Sequence, residues 1–272
     1  MSIKLDRTLH PAACGPAADR PRAQRGASVA PRAAAQGAPL ARTFGRALSS
    51  LWMAYQPIVR CSDRRVIAHE ALVRSDEPSL GDPLALFQAA DRLGQRVRLG
   101  REIRALLVGD LVDIPGDVYM NLNADDLLVA ELYDRRGRLA ELAPRLVLEI
   151  TEQAPLDLIP DVSGRITRLR DLGFRLAVDD FGAGYSGHLN LAILEPDVVK
   201  LDMSLIRRVD CDIGRRDAVR SMTRLCRKLR SLVVAEGVET CGERDALVAL
   251  GCDALQGFLL ARPARRPASV AW

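Results

Sequence analysis

At residues 174–182 the chain reads FRLAVDDFG, an apolar, β-prone run that ends in two adjacent aspartates. Five further apolar runs carry an acidic, amide or lysine side chain in a matching place: Glu70 in VIAHEALVR (66–74), Asn121 in VYMNLN (118–123), Glu149 in RLVLEITE (145–152), Lys200 in DVVKLD (197–202) and Glu236 in LVVAEGVE (232–239). A charged group is costly to bury unless it is paired or coordinates a metal. Strand ends that gather acids at one pole are how a β/α barrel builds its active site. The pattern therefore predicts a cation-dependent enzyme.

Short apolar runs alternate with longer amphipathic segments from about residue 50 onward. Strands are expected near 53–60, 65–74, 117–122, 145–151, 174–179, 197–202, 231–236 and 253–258. Helices are expected near 83–93, 97–113, 124–132, 162–172, 187–194, 214–230 and 240–250. The alternation indicates βα units and a largely parallel sheet. Eight strands without a GxGxxG or Walker-type loop favour a closed barrel over an open doubly wound sheet.

Length and composition are compatible with this fold. The chain has 272 residues and 48% hydrophobic residues, enough for one barrel of roughly 200–250 residues and an appendage. No apolar stretch is long enough to span a bilayer, and the N-terminus lacks the apolar segment of a secretory signal. Six scattered cysteines, without a CxxC pair, indicate reduced thiols in a cytoplasmic protein.

The positive charge of the chain lies in its first 46 residues. They carry eight Lys or Arg and two Asp, whereas the whole chain has a net charge of +4, so residues 47–272 are slightly acidic. This Ala/Arg/Pro-rich segment predicts a disordered tail over 1–46, followed by one barrel domain over 47–272. A solvated tail is favoured over one that contacts RNA or a membrane surface. The globular part offers no basic face for duplex nucleic acid.

The acids predict divalent cations. Glu70, Glu149, Asp179, Asp180 and Glu236 would repel one another in one barrel mouth, and Arg74 and Lys200 supply only two positive charges. Two hard divalent ions, Mg²⁺ or Mn²⁺ rather than zinc, would balance the rest and create a pocket for a phosphate ester. Asp179 and Asp180 are the natural bridge between two ions, and the loop after them is rich in glycine.

Eight motifs in order carry a family resemblance: QPIV (56–59), EALVR (70–74), NLN (121–123), EITE (149–152), DDFGAGYSG (179–187), KLD (200–202), AEGVET (235–240) and QGFLLARP (256–263). From about residue 50 to 265 the chain resembles the EAL-domain cyclic di-GMP phosphodiesterases of bacterial signalling. The resemblance implies an α/β fold, a modified TIM-type (β/α)8 barrel whose first strand runs antiparallel to the others. It also implies hydrolysis of cyclic di-GMP to linear pGpG with two Mg²⁺ or Mn²⁺ ions, and it allows a homodimer.

The resemblance also implies roles for individual residues. One ion would be held by Glu70, Asn121, Glu149 and Asp179, and the second by Asp179, Asp180 and Glu236. Lys200 would orient the attacking water, Glu236 would accept its proton, and Gln256 would support the water network. Arg74 would grip a phosphate, Gln56 would lie near the nucleotide, and Glu152 would anchor the glycine-rich loop.

Two other functions stay open from the sequence. One is a catalytically silent protein that binds cyclic di-GMP or only a protein partner; the loss of a ligand acid would have favoured it, and none is lost. The other is a related barrel metal hydrolase with a different phosphate substrate. Product analysis with Mg²⁺ or Mn²⁺ and cyclic di-GMP distinguishes these two functions from the phosphodiesterase that the resemblance implies.

Overall fold

Eight strands close into a barrel in the computed structural model, which describes residues 32–183 and 187–272. The strands are β1 (Leu51–Arg60), β2 (Val66–Ser75), β3 (Asp117–Asn121), β4 (Leu146–Thr151), β5 (Arg175–Phe181), β6 (Val198–Leu201), β7 (Leu232–Ala235) and β8 (Ala254–Leu255). Neighbours along the chain are neighbours in the sheet, from β1 through β8 and back to β1. The predicted barrel and its strand positions are confirmed.

The first strand runs against the rest. β1 pairs antiparallel with both β2 and β8, whereas the pairs from β2–β3 to β7–β8 are parallel. A short turn at residues 61–65 joins β1 to β2, as antiparallel neighbours allow. The C-terminal ends of seven strands and the N-terminal half of β1 therefore meet at one pole, as the family resemblance implied.

One helix, α1 (Arg32–Ser49), precedes β1, and the other helices lie between later strands: α2 (Pro83–Arg92), α3 (Arg96–Asp110), α4 (Arg138–Leu142), α5 (Val162–Asp171), α6 (Gly187–Leu194), α7 (Met203–Ile206), α8 (Ile213–Leu229) and α9 (Cys241–Leu250). Local sequence sets their ends. Asp82 caps α2 by accepting a hydrogen bond from Ala85 N, with Pro83 at the first turn. None of the described helices is long and apolar enough to cross a membrane.

One predicted helix has a different form. Residues 124–132 form two 3₁₀ turns, Ala124–Leu128 and Ala130–Tyr133, rather than an α-helix. The Asp126 carboxylate accepts the Asn123 backbone N–H and pairs with the buried guanidinium of Arg104. Such local side-chain bonds compete with regular helix hydrogen bonds and favour short turns.

The predicted disordered tail is wrong in its last part. Helix α1 extends across the expected boundary at residue 46, and Phe44 and Ala47 are buried in the main core with 2% and 0% exposure. The partly buried side chains of Leu40 and Leu48 pack on the same core. These four residues have the i, i+4, i+7, i+8 spacing of an apolar helix stripe, which the Ala/Arg/Pro-rich composition concealed. Residues 1–31 of the predicted tail lie outside the described residues.

The inside of the barrel contains a separate apolar layer. Each strand contributes one residue to it: Ile58, Ala68, Tyr119, Val147, Ala177, Val198, Val234 and Ala254. Because side chains two residues apart in a strand share a face, the next inward-facing layer is defined by counting two residues toward the C-terminal pole. That count runs forward on seven strands and backward on the antiparallel β1.

Candidate active site

The layer above the apolar one is polar on every strand. Counting two residues toward the pole gives Gln56, Glu70, Asn121, Glu149, Asp179, Lys200, Glu236 and Gln256. All of these were singled out from the sequence. The apolar layer below them closes the barrel, so the polar groups can reach solvent only through the C-terminal mouth, as is usual for the active site of a β/α barrel.

Lys200 lies at the centre of this polar layer. Its side chain has no solvent exposure, and Nζ lies 2.6 Å from Glu149 Oε1, 2.7 Å from Glu236 Oε1 and 3.0 Å from Asp179 Oδ1. Glu70 Oε2 is more distant, at 3.5 Å. These four contacts have ion-pair distances. One ammonium therefore faces four carboxylates and can neutralise only a quarter of their charge.

The buried carboxylate oxygens fit a divalent cation. Both Oε atoms of Glu149, Oδ1 of Asp179 and Oε1 of Glu236 are buried without a hydrogen-bond partner. Asp179, Asp180 and Glu236 each offer an oxygen within 4.8 Å of the others, an arrangement able to hold a metal ion. Three of the buried oxygens share the single ammonium of Lys200, so their charge is only partly balanced in a dry interior, and hard oxygens are the preferred ligands of Mg²⁺ and Mn²⁺. The donor set therefore fits the expected metals.

Burial and the excess of acids also shift the pKa values of the ionisable groups in the polar layer. Burial raises the pKa of Glu149 and Glu236 well above the usual range, although Lys200 opposes both shifts. Burial, with repulsion from Asp179 and Asp202, raises the pKa of Asp180 to about 6. Burial alone would lower the pKa of Lys200, but the surrounding carboxylates outweigh it and hold that pKa well above its usual value. Lys200 is thus a permanent cation in a site with an excess of acids.

Two glutamines of the polar layer hydrogen-bond to each other and link the layer to the backbone at Ala261. Gln256 Nε2 donates to Glu70 Oε2 at 2.5 Å and to Gln56 Oε1 at 3.0 Å. Gln56 Nε2 in turn donates to the backbone carbonyl of Ala261 at 3.0 Å. Asn121 Nδ2 makes a longer contact of 3.4 Å with Glu70 Oε1. This chain of amides orients the carboxylate of Glu70 and closes the layer between β8, β1 and β2.

Arg74 and Glu152 lie outside the polar layer. Arg74 is half-buried at the end of β2, where its Nη1 donates to Val73 O, and burial lowers its pKa. Glu152 follows β4 and is 1% exposed. Its Oε2 accepts the backbone N–H of Gly182 at 2.9 Å, two residues after Asp180, whose φ of 55° is left-handed. Glu152 therefore contacts the start of the glycine-rich loop; residues 184–186 of that loop lie outside the described residues.

Asn190 was missed by sequence reasoning. It lies in α6 with 3% exposure, and its Nδ2 donates to Glu152 O at 2.7 Å and to Ala154 O at 3.0 Å. The amide thus connects α6 to the segment that carries Glu152. The available signal was a single amide inside the apolar run LNLAIL. That pattern alone does not distinguish an exposed asparagine from a buried one that hydrogen-bonds to another segment.

Comparison with known proteins identifies the family to which this chain belongs. Residues 41–263 match the EAL domain, and the chain belongs to the EAL-domain family. The bifunctional diguanylate cyclase/cyclic di-GMP phosphodiesterase MucR of Pseudomonas aeruginosa is 34% identical over 223 residues, 77% of this chain and 32% of that protein. The probable cyclic di-GMP phosphodiesterase PdeG of Escherichia coli is 30% identical over 221 residues, 77% of this chain and 44% of that protein. The chain thus spans less than half the length of these relatives.

Solved structures agree on the fold. Klebsiella pneumoniae BlrP1, in a calcium/cyclic di-GMP complex, superposes with a TM-score of 0.71 at 31% identity, covering 82% of this chain and 58% of that one. The PaMucR phosphodiesterase in its cyclic di-GMP complex gives 0.68 at 31% identity, covering 83% of this chain and 97% of that one. The barrel described above is therefore similar to EAL proteins that bind cyclic di-GMP.

Proposed function

We propose that this chain hydrolyses one phosphodiester bond of cyclic di-GMP and releases linear pGpG, with two Mg²⁺ or Mn²⁺ ions. The observation that carries the proposal is the polar layer, in which every strand contributes a side chain and buried carboxylate oxygens lack hydrogen-bond partners. The family and its phosphodiesterase relatives support the choice of substrate.

The proposal assigns the metal ligands as follows. Glu70, Asn121, Glu149 and Asp179 would hold one ion; Asp179, Asp180 and Glu236 would hold the other. When bound, the two ions supply positive charge that stabilises the attacking and leaving oxygens of an in-line displacement and lowers the pKa of water. Asp180 fits this role because it offers a carboxylate oxygen within 4.8 Å of oxygens of Asp179 and Glu236.

The remaining residues would handle water and substrate. Lys200 Nζ, held among Glu149, Asp179 and Glu236, would donate a hydrogen bond that orients the attacking water, and Glu236 would accept the proton that the water loses. Gln256 would keep Glu70 and the water network in place. Arg74 at the rim would bind a phosphate, because a guanidinium can donate two parallel hydrogen bonds to phosphate oxygens. Gln56 would lie beside the nucleotide. Glu152 would hold the loop that follows Asp180.

Two wider expectations belong to the proposal. The five described cysteines are all free thiols, which fits the cytoplasm, where a nucleotide messenger would be hydrolysed; cell fractionation tests this. A homodimer is the proposed assembly, and light scattering on the purified chain measures it.

The test is product analysis. Purified chain with Mg²⁺ or Mn²⁺ should convert cyclic di-GMP to pGpG, resolved by chromatography. Asp179→Asn should abolish product, whereas Asp171→Asn, which changes an exposed aspartate at the end of α5, should not. Binding without turnover would instead identify a silent receptor. Turnover of other phosphodiesters alone would identify a different hydrolase.

A further inference from the structure

The three residues that follow Arg74 contact two elements distant in sequence, helix α1 and the C-terminal segment. Ser75, the last residue of β2, pairs with Leu51 at the start of β1, directly after helix α1 ends. Asp76 contacts the C-terminal segment, and Glu77 contacts α1. The rim position of Arg74 therefore depends on contacts from elements distant in sequence.

Ser75 makes the buried contact. It is 7% exposed, and its Oγ donates to Ala47 O in the last turn of α1 at 3.2 Å. The same oxygen lies 3.1 Å from Ser50 Oγ and accepts the backbone N–H of Glu77 at 3.1 Å. Ala47 O also accepts the backbone N–H and the hydroxyl of Ser50, at 3.2 and 3.3 Å. Ser75 is therefore one of several donors to this carbonyl, and its hydroxyl connects the end of α1 to the backbone that follows Arg74.

Surface contacts extend the same connection. Arg46 Nε on α1 donates to Glu77 Oε2 at 2.7 Å. Asp76 accepts from Trp52 Nε1 at 2.9 Å and from Arg265, which also stacks over the Trp52 ring. Trp52 is the cross-strand partner of Arg74 in the β1–β2 register. A backbone hydrogen bond from Asp76 N to Ser50 O, at 3.2 Å, joins the same segments. Exposed ion pairs contribute little, so the buried hydroxyl of Ser75 is the side-chain contact expected to contribute most.

We propose that Ser75 is a positioning residue that fixes Arg74 against the end of α1, so that α1 controls how well the rim binds the substrate phosphate. This inference rests on the proposed function of Arg74. Ser75 itself lies outside the polar layer of the barrel. Its loss should therefore weaken substrate binding and leave the chemical step unchanged, because only a residue that acts on the transition state lowers kcat.

The test is a kinetic double-mutant cycle. Ser75→Ala should raise the KM for cyclic di-GMP by up to about five-fold, the factor reached if the free energy of one net hydrogen bond acts entirely on the position of Arg74, with kcat unchanged. In an Arg74→Ala background the same substitution should not raise the KM further, because the effects of two residues that act through one group are not additive. The matched control is Ser221→Ala, which removes one exposed helix hydroxyl that donates to Asp217 O; its KM should equal that of the unmodified chain.

The outcomes separate this inference from the proposed function. An active chain in which Ser75→Ala leaves KM unchanged, lowers only kcat, or acts equally with and without Arg74 overturns the positioning role. If the unmodified chain does not hydrolyse cyclic di-GMP, the proposed hydrolysis fails, and the Kd for cyclic di-GMP takes the place of KM in the same cycle. A chain that neither hydrolyses nor binds it overturns both. Melting temperatures of all variants show that the folded proteins are being compared.

Discussion

Replacing Lys200 by methionine should destabilise the metal-free protein and make it depend on divalent ions. The side chain is completely buried, and its ammonium lies between 2.6 and 3.5 Å from four carboxylates. Removing one partner of a buried ion pair costs about 3–5 kcal/mol, because the remaining charge is left uncompensated. Here the uncompensated charge is on the acids, and proton uptake by Glu149 and Glu236 limits the loss, since burial already raises the pKa of both.

The assay is urea unfolding in EDTA and in saturating Mg²⁺. In EDTA, Lys200→Met should lower the free energy of unfolding by about 3 kcal/mol. Mg²⁺ should restore most of the lost free energy of unfolding, since a ligand that binds only the folded state raises that free energy by about 2.7 kcal/mol at one hundred times its Kd. The control is Lys228→Met, which changes an exposed lysine of α8. Equal unfolding midpoints for Lys200→Met and the unmodified chain in EDTA would refute the central position of Lys200.

The same variant has a kinetic readout. If Lys200 orients the attacking water, its loss should lower kcat far more than it weakens substrate binding, because the interaction acts mainly in the transition state. An effect confined to KM would show that Lys200 only attracts phosphate.

Three further predictions concern the metal site, α1 and α6. EDTA should stop hydrolysis and added Mg²⁺ should restore it, whereas Asp179→Asn should abolish hydrolysis with or without added Mg²⁺ while the variant stays folded; full activity in either case contradicts the two-metal proposal. Phe44→Ala should lower the free energy of unfolding by about 3–5 kcal/mol, measured in urea, because Phe44 is 2% exposed in the main core; no loss would mean that α1 does not pack there. Asn190→Ala should lower the free energy of unfolding by about 1–3 kcal/mol, because it removes the 2.7 Å donor of the Glu152 carbonyl; an unchanged unfolding midpoint would show that this hydrogen bond does not stabilise the fold.

The polar layer was predictable because strands have a period of two. Glu70, Glu149 and Asp179 each follow the apolar layer by two residues, so a correct strand assignment fixes the face on which each side chain lies. Closure of the barrel then brings together residues far apart in the chain. Strand ends and motifs therefore sufficed to name the members of the polar layer, whose functional roles stay predictions.

The distances within the site were not predictable. That Lys200 lies nearest to Glu149 and more distant from Glu70 depends on the stagger between strands, which follows from closure of all eight strands rather than from any one of them. Helix α1 was missed for a different reason. Its stabilising contacts, such as Phe44 in the core and Arg46 with Glu77, are tertiary, and tertiary packing overrides the local composition that predicted a disordered tail.

The most direct test of hydrolysis in this barrel is the isotope content of the product. A reaction of the purified chain with cyclic di-GMP and Mn²⁺ in ¹⁸O-labelled water should give linear pGpG with one ¹⁸O in its terminal phosphate, because one water attacks one phosphorus in an in-line displacement. The mass spectrum of the product measures this directly. Unchanged cyclic di-GMP, or pGpG without the label, would contradict a water-dependent phosphodiesterase built on the polar layer.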